Sequence, residues 1–173
     1  MPENDQSQYE CENCHHDVDV DAAFCPYCGG IYTDYLRCEK HGMTDADGVC
    51  VICGKAYCSR CGGWVNSTFR CNEHAQYEII SDMACVFAAS DEMHADYLAQ
   101  VLETEGLHPF LFQNKMRPNN LSFSAIASTI NEEMHRYFET RIMVPFGEVI
   151  AAEQILKDIE TSESGDILSE DNY

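Results

Sequence analysis

The sequence predicts small metal-stabilised modules followed by an α+β sandwich, and three observations lead there. The first is the spacing of cysteine and histidine: Cys11/Cys14, Cys25/Cys28, Cys38/His41, Cys50/Cys53, Cys58/Cys61 and Cys71/His74 are pairs with two residues between them. Such a gap lets both side chains of one tight turn reach a single ion. The second is a change of pattern after Ala75, where cysteines nearly stop and apolar residues take up strand and helix periods. The third is the start, MPENDQSQYE, which is acidic and polar with no basic or apolar segment. No stretch approaches the roughly 20 apolar residues of a membrane span. These features favour metal in a reducing cytoplasm over a secreted disulfide framework for the 11 cysteines. Twelve donors make three tetrahedral sets, and zinc is the ion such sets take, at about 2.3 Å from sulfur and about 2.0–2.1 Å from nitrogen. The full expectation is a zinc ribbon plus a binuclear finger, followed by a ferredoxin-like sandwich, with three Zn2+ ions.

Charge narrows the partners. The formal net charge is −20 with only 10 Lys and Arg. Ten thiolates lower it by ten and three zinc ions return six, so the metallated chain carries roughly −24. A phosphate-binding surface needs clustered cations to displace counterions, so nucleic acid is not expected as a partner, nor is a membrane. Solubility accounts for the acidity.

In chain order, residues 1–9 carry no apolar pattern and are expected to be disordered. Residues 10–31 form the ribbon: Cys11, Cys14, Cys25 and Cys28 on one ion, with Val18, Val20 and Phe24 covering it. Pro26 and the Gly29-Gly30 pair suit the second turn. Two sharper motifs overlap this ribbon. Cys11-Glu12-Asn13-Cys14-His15 matches a haem c attachment site, which requires export. Cys25-Pro26-Tyr27-Cys28 matches a glutaredoxin motif, which needs a following helix where two glycines stand instead. His15 and His16 are expected as neighbours of a complete four-cysteine set.

Residues 36–76 hold eight donors in under forty residues, with gaps of eight, four and nine between successive pairs. The four-residue linker Gly54-Lys55-Ala56-Tyr57 suits a knuckle running into a short strand and a second turn. The assignment is therefore crosswise: Cys38, His41, Cys58 and Cys61 on one ion, Cys50, Cys53, Cys71 and His74 on the other. Sequential wiring is the alternative. Gly54, Gly62 and Gly63 are turn residues, and Trp64, the one tryptophan, is expected to pack over the second site.

With those pairs in place, the segment resembles a B-box zinc finger, the small relative of RING domains. It departs at the last pair, where Cys71 and His74 replace two histidines; bacterial B-box-like modules ending in Cys-x2-Cys or Cys-x2-His are more similar. The resemblance implies a cross-braced fold and a protein-interaction role.

Residues 78–161 read as α+β. Met83 to Ala89 is a strand, and Ser90 an N-cap followed by Asp91 and Glu92. Ala95, Leu98, Val101 and Leu102 mark a helix that Gly106 ends. Leu107 to Phe112 and Arg141 to Val144 are strands. Phe146 to Glu160 contains a second helix with Val149, Ala152, Ile155, Leu156 and Ile159 on one side. Strand–helix–strand then strand–helix indicates both helices on one face of a sheet. The positions Ala95, Leu98, Leu102, Glu103, Gly106 and Leu107, then Ile142, Val144, Pro145, Ala152, Ile155 and Leu156, resemble a small bacterial domain family described as signal-transducing. That resemblance implies the fold and no mechanism. The connection from Gln113 to Thr140 is long and reads as an insertion or a ligand loop. Cys85 is expected as a small buried residue, His94, His108 and His135 form no catalytic set, and residues 162–173 form an acidic tail.

The function expected from the sequence is a non-enzymatic protein-interaction or regulatory adaptor with a protein partner. A RING-like ubiquitin-type ligase and a thiol redox sensor that releases zinc on oxidation are the alternatives.

Overall fold

The computed structural model describes residues 8–113 and 139–165, and the chain divides into two compact units, Met1–Tyr77 and Glu78–Tyr173. The insertion expected between Gln113 and Thr140, with His135, and most of the acidic tail lie outside the described residues. No helix among the described residues is long and apolar enough to cross a membrane.

The N-terminal unit is made of two-stranded antiparallel ladders: β1 (Gln8–Glu10) with β2 (Asp17–Asp19), β3 (Arg37–Cys38) with β4 (His41–Asp45), β5 (Gly48–Val49) with β6 (Ala56–Tyr57), and β7 (Gly62–Val65) with β8 (Thr68–Cys71). Gln8 and Tyr9 were expected to be disordered, and with Glu10 they form β1. They pair with β2, Tyr9 opposite Val18, and the Tyr9 ring meets Tyr32 edge-on at 5.3 Å. Val18 is buried against Cys11, Cys25 and Cys28, with Tyr9 and Ala22 packed around them. Val20 is exposed, so it does not cover the site as the sequence suggested.

The segment 10–31 is not a separate bead. The Val49 N–H donates to the Gly29 carbonyl at 2.9 Å, and the Phe69 N–H donates to the Cys28 carbonyl at 2.8 Å. Close approach makes this joint: a Cβ on Gly29 would stand 2.0 Å from the Val49 oxygen, and Gly29 has φ of 81°. Phe69, fully buried, sits at the centre, and a Cβ on Gly48 would meet its ring at 2.3 Å. An aromatic ring flanked by backbone without side chains is how so few apolar residues fill a core.

The C-terminal unit holds a four-stranded antiparallel sheet. Its strands are β9 (Ile79–Ile80), β10 (Met83–Ala89), β11 (Phe110–Gln113) and β12 (Thr140–Pro145), in the order β11-β12-β10-β9. Helix α1 (Glu92–Thr104) joins β10 to β11, and α2 (Val149–Gly165) follows β12 through the 3-10 turn Phe146–Glu148. β10 and β11 flank β12, which runs antiparallel to both, so β10-α1-β11 is a split β-α-β unit. In a ferredoxin-like sandwich a strand after the second helix would lie beside the first strand. Here β9, preceding β10 in a tight hairpin, holds that edge. The architecture is a curled antiparallel sheet with helices.

Ala84, Ile142 and Val144 on the sheet, Ala95, Leu98 and Leu102 on α1, and Val149, Ala152 and Leu156 on α2 form the core. The N-cap of α1 is Asp91 rather than Ser90: its Oδ1 accepts the Met93 N–H at 3.0 Å. Asp91 is extended while Glu92 is already helical, which places the cap one residue later. At the other end Gly106, with φ of 84°, donates to the Glu103 carbonyl and Leu107 donates to the Leu102 carbonyl. This is a Schellman closure. Cys85 is half-buried, its thiol donates to the Phe87 carbonyl at 3.3 Å, and burial pushes its pKa up.

Candidate metal centres

Each centre starts from a repeated backbone turn. The carbonyls of Cys11, Cys25, Cys50 and Cys58 accept the N–H of His15, Gly29, Gly54 and Gly62, four residues on. The residue after the second ligand is left-handed in three of these turns: His15 at 62°, Gly29 at 81° and Gly54 at 66°. That explains the glycines following two of the cysteine pairs. His15 takes the same conformation, with its Nδ1 2.6 Å from Glu10 Oε1.

The turns gather the donors into three tetrads. Cys11, Cys14, Cys25 and Cys28 form one; Cys38, His41, Cys58 and Cys61 a second; Cys50, Cys53, Cys71 and His74 a third. Within each, the donor atoms lie within 4.8 Å of one another. The second and third are wired crosswise. Cys11 and Cys28 sulfurs are 3.8 Å apart, and Cys14 and Cys25 sulfurs 3.5 Å. His41 Nδ1 lies 3.6, 3.5 and 3.3 Å from the sulfurs of Cys38, Cys58 and Cys61. His74 Nδ1 is 3.5 Å from Cys50 and 3.2 Å from Cys71. A tetrahedron with sulfur arms of about 2.3 Å has edges near about 3.8 Å, and one nitrogen arm of about 2.0 Å shortens its edges to about 3.5 Å. The distances fit a four-coordinate ion. They are far longer than the roughly 2.05 Å of a disulfide.

Compared with protein-family models, with curated proteins and with solved structures, the chain matches none. What its own geometry supports is three zinc-finger-like modules, each able to hold a metal ion.

Electrostatics within the tetrads point the same way. Burial works against ionisation of Cys11, but hydrogen bonds from the Tyr32 hydroxyl and the backbone at Cys14 and Asn13 outweigh it and bring the thiol down to about 6. Cys14 is pushed up, by burial and by its bonds to the thiols of Cys25, Cys11 and Cys28. Cys38 follows Cys11: burial opposes ionisation, and bonds from the backbone at Cys58 and Lys40 and from His41 bring it to about 6. Burial and the nearby Cys38 and Cys58 push Cys61 up to about 11. In the third tetrad the Cys50 bond draws Cys53 down to about 7, while the same bond and burial push Cys50 up to about 12. One thiol ionises readily and its neighbours resist, because negative charges compete for one small volume. A divalent cation at the centre removes that competition for all of them.

Partners surround the donors. The Tyr57 hydroxyl is 3.8 Å from Cys53 sulfur, and burial followed by that thiol pushes the tyrosine pKa up. Arg70 is buried, its Nη1 donates to the Tyr77 carbonyl at 2.6 Å, and it feels the charge of Cys50. A guanidinium there would offset the net charge of −1 that three thiolates and a divalent ion would carry. Lys40 and Lys55 stand by the outer thiols while pairing with Glu73 at 2.7 Å and Glu39 at 2.9 Å.

Other sequence candidates sit elsewhere. His16 stacks on Tyr27 at 4.2 Å and belongs to no tetrad. Trp64, expected over the Cys50, Cys53, Cys71 and His74 site, is 48% exposed and its ring meets Phe69 edge-on at 5.6 Å. The sequence reading missed Phe69 and Arg70 as supports of these centres. Their only signal was position, immediately before a ligand pair. His94 meets Phe87 edge-on, and His108 contacts Glu148 through both its N–H and its Nδ1, each at 2.7 Å.

Proposed function

We propose that this protein is a non-enzymatic, cytoplasmic zinc protein in which three structural Zn2+ ions hold a protein-interaction unit, joined to a regulatory α+β domain. The observation that carries the reading is that every tetrad has four protein donors, mostly buried, at the edge lengths of a filled tetrahedron. Catalytic zinc keeps one position open for water or substrate, and structural zinc does not. Ten thiolates and two imidazoles are the donor set that selects zinc over the harder divalent ions. The strongly acidic chain favours a protein partner over nucleic acid.

Native mass spectrometry of the intact chain before and after a strong chelator tests this. The expected mass difference is three zinc ions. Fewer than two tightly held ions would sink the proposal.

A further inference from the structure

A cavity of about 730 Å³ opens in the N-terminal unit, lined by β1, the first knuckle, the segment from Gly30 to Asp34, Asp47 and Trp64. Two features of that wall are open to solvent. One is aromatic: Trp64 and Tyr32 keep 48% and 37% of their surface in water, although each ring is braced edge-on, by Phe69 and by Tyr9. The other is anionic. Four carboxylates line the cavity and no lysine or arginine does. Two of them are engaged, Glu10 with His15 and Asp47 with the Ser59 N–H at 2.7 Å. Glu12 and Asp34 are exposed and make no ion pair among the described residues. The Thr33 hydroxyl, next to Asp34 in the chain and part of the same wall, is buried with no hydrogen-bond partner among the described residues. Cys11 is part of the same wall. With a divalent ion, its four-thiolate centre carries net charge −2 and deepens the negative potential.

We infer that this cavity receives an arginine side chain from a basic segment of a partner protein. A guanidinium is flat enough to lie on an indole or phenol face, and its fork of donors matches carboxylates that a compact ammonium meets at one point. The charge complementarity is local to the groove as well as global to the chain. The inference rests on the reading of the unit as a zinc-held interaction module and names the chemistry of its partner.

Trp64 is the sole tryptophan, so its emission reports on this cavity directly. The probe is an acetylated, amidated Gly-Ser-Arg-Gly-Arg-Ser-Gly peptide titrated into the full chain, with the citrulline peptide of the same sequence as its neutral counterpart. A saturable change in Trp64 emission is expected with arginine, and binding about tenfold weaker with citrulline. Glu12→Gln with Asp34→Asn should weaken the arginine peptide about tenfold while native mass spectrometry still shows three zinc ions. Glu103→Gln with Glu105→Gln removes the same charge from exposed positions at the end of α1, and should leave binding unchanged. Equal binding of citrulline, equal weakening by both double variants, or no saturable response from a chain holding three zinc ions would each overturn the groove alone. A chain that takes up fewer than two zinc ions overturns the module reading and this inference with it.

Discussion

The N-terminal unit divides its backbone among ladders of two to five residues and buries cysteines where another domain would bury leucines. The C-terminal unit runs strands of up to seven residues and helices of 13 and 17, closed over Leu102, Ile142, Val144 and Leu156. The contrast shows what twelve ligands replace. A segment of this size with so few large apolar side chains cannot bury enough surface to offset its own ordering entropy. Binding of a structural zinc ion contributes about 10–16 kcal/mol at neutral pH, and that energy appears only when all four ligands converge. The C-terminal unit needs no such source, since each fully buried Leu, Ile or Val contributes about 1.5–3 kcal/mol.

Chelation is the largest test of that difference. On removal of zinc, amide resonances of residues 8–77 should collapse to random-coil positions while those of the sheet and helices after Glu78 keep their dispersion. Joint collapse would show that the two units share one folding event, and persistence of both would remove metal from the account of the N-terminal fold.

Within the metal-held unit, wiring is the next lever. Cys38 and Cys58 belong to one tetrad although 20 residues separate them along the chain, a spacing set by β4, β5 and β6. With cadmium in place of zinc, Cys38→Ser and Cys58→Ser should each erase the same one of three cadmium resonances and leave the other two. Loss of different resonances would mean sequential pairing and would contradict the observed geometry.

How far these centres could be read in advance follows from what a ligand pair encodes. The Cys-x2-Cys spacing is set by one turn, so it survives translation into sequence, and the four-residue link from Cys53 to Cys58 was short enough to imply crossing. The joint between segments 10–31 and 36–76 was invisible because it is made of backbone, Val49 to Gly29 and Phe69 to Cys28, with no side-chain period to announce it. Trp64 was expected over the Cys50, Cys53, Cys71 and His74 site, yet a lone tryptophan in the sequence does not distinguish a cover from a half-exposed ring. In the C-terminal unit the helix faces were legible from their 3–4 spacing, whereas β9 is two residues long and holds its edge only through the hairpin to β10.

Leu102→Ala carries the comparison into the C-terminal unit. Leu102 is fully buried on α1, and its carbonyl also closes the helix by accepting from Leu107. Truncation should cost about 2–5 kcal/mol in the urea unfolding of that unit. Zinc stoichiometry should stay at three. A loss of bound zinc in this variant would show coupling that the separate cores do not predict.

Asp91→Ala should have a smaller effect still, at a helix start of a kind the N-terminal unit does not show among its described residues. The Asp91 carboxylate accepts the Met93 N–H at 3.0 Å at an exposed helix start, so its removal leaves that amide to water and costs no packing. The expected loss is about 1 kcal/mol. Ser90→Ala, one residue earlier, should change stability by a few tenths at most, because the cap bond does not involve it. Measured together by urea unfolding, the pair decides where α1 begins. A larger loss from Ser90→Ala would move the cap back by one residue and lengthen α1 at its start, leaving Ala95, Leu98 and Leu102 on the buried face.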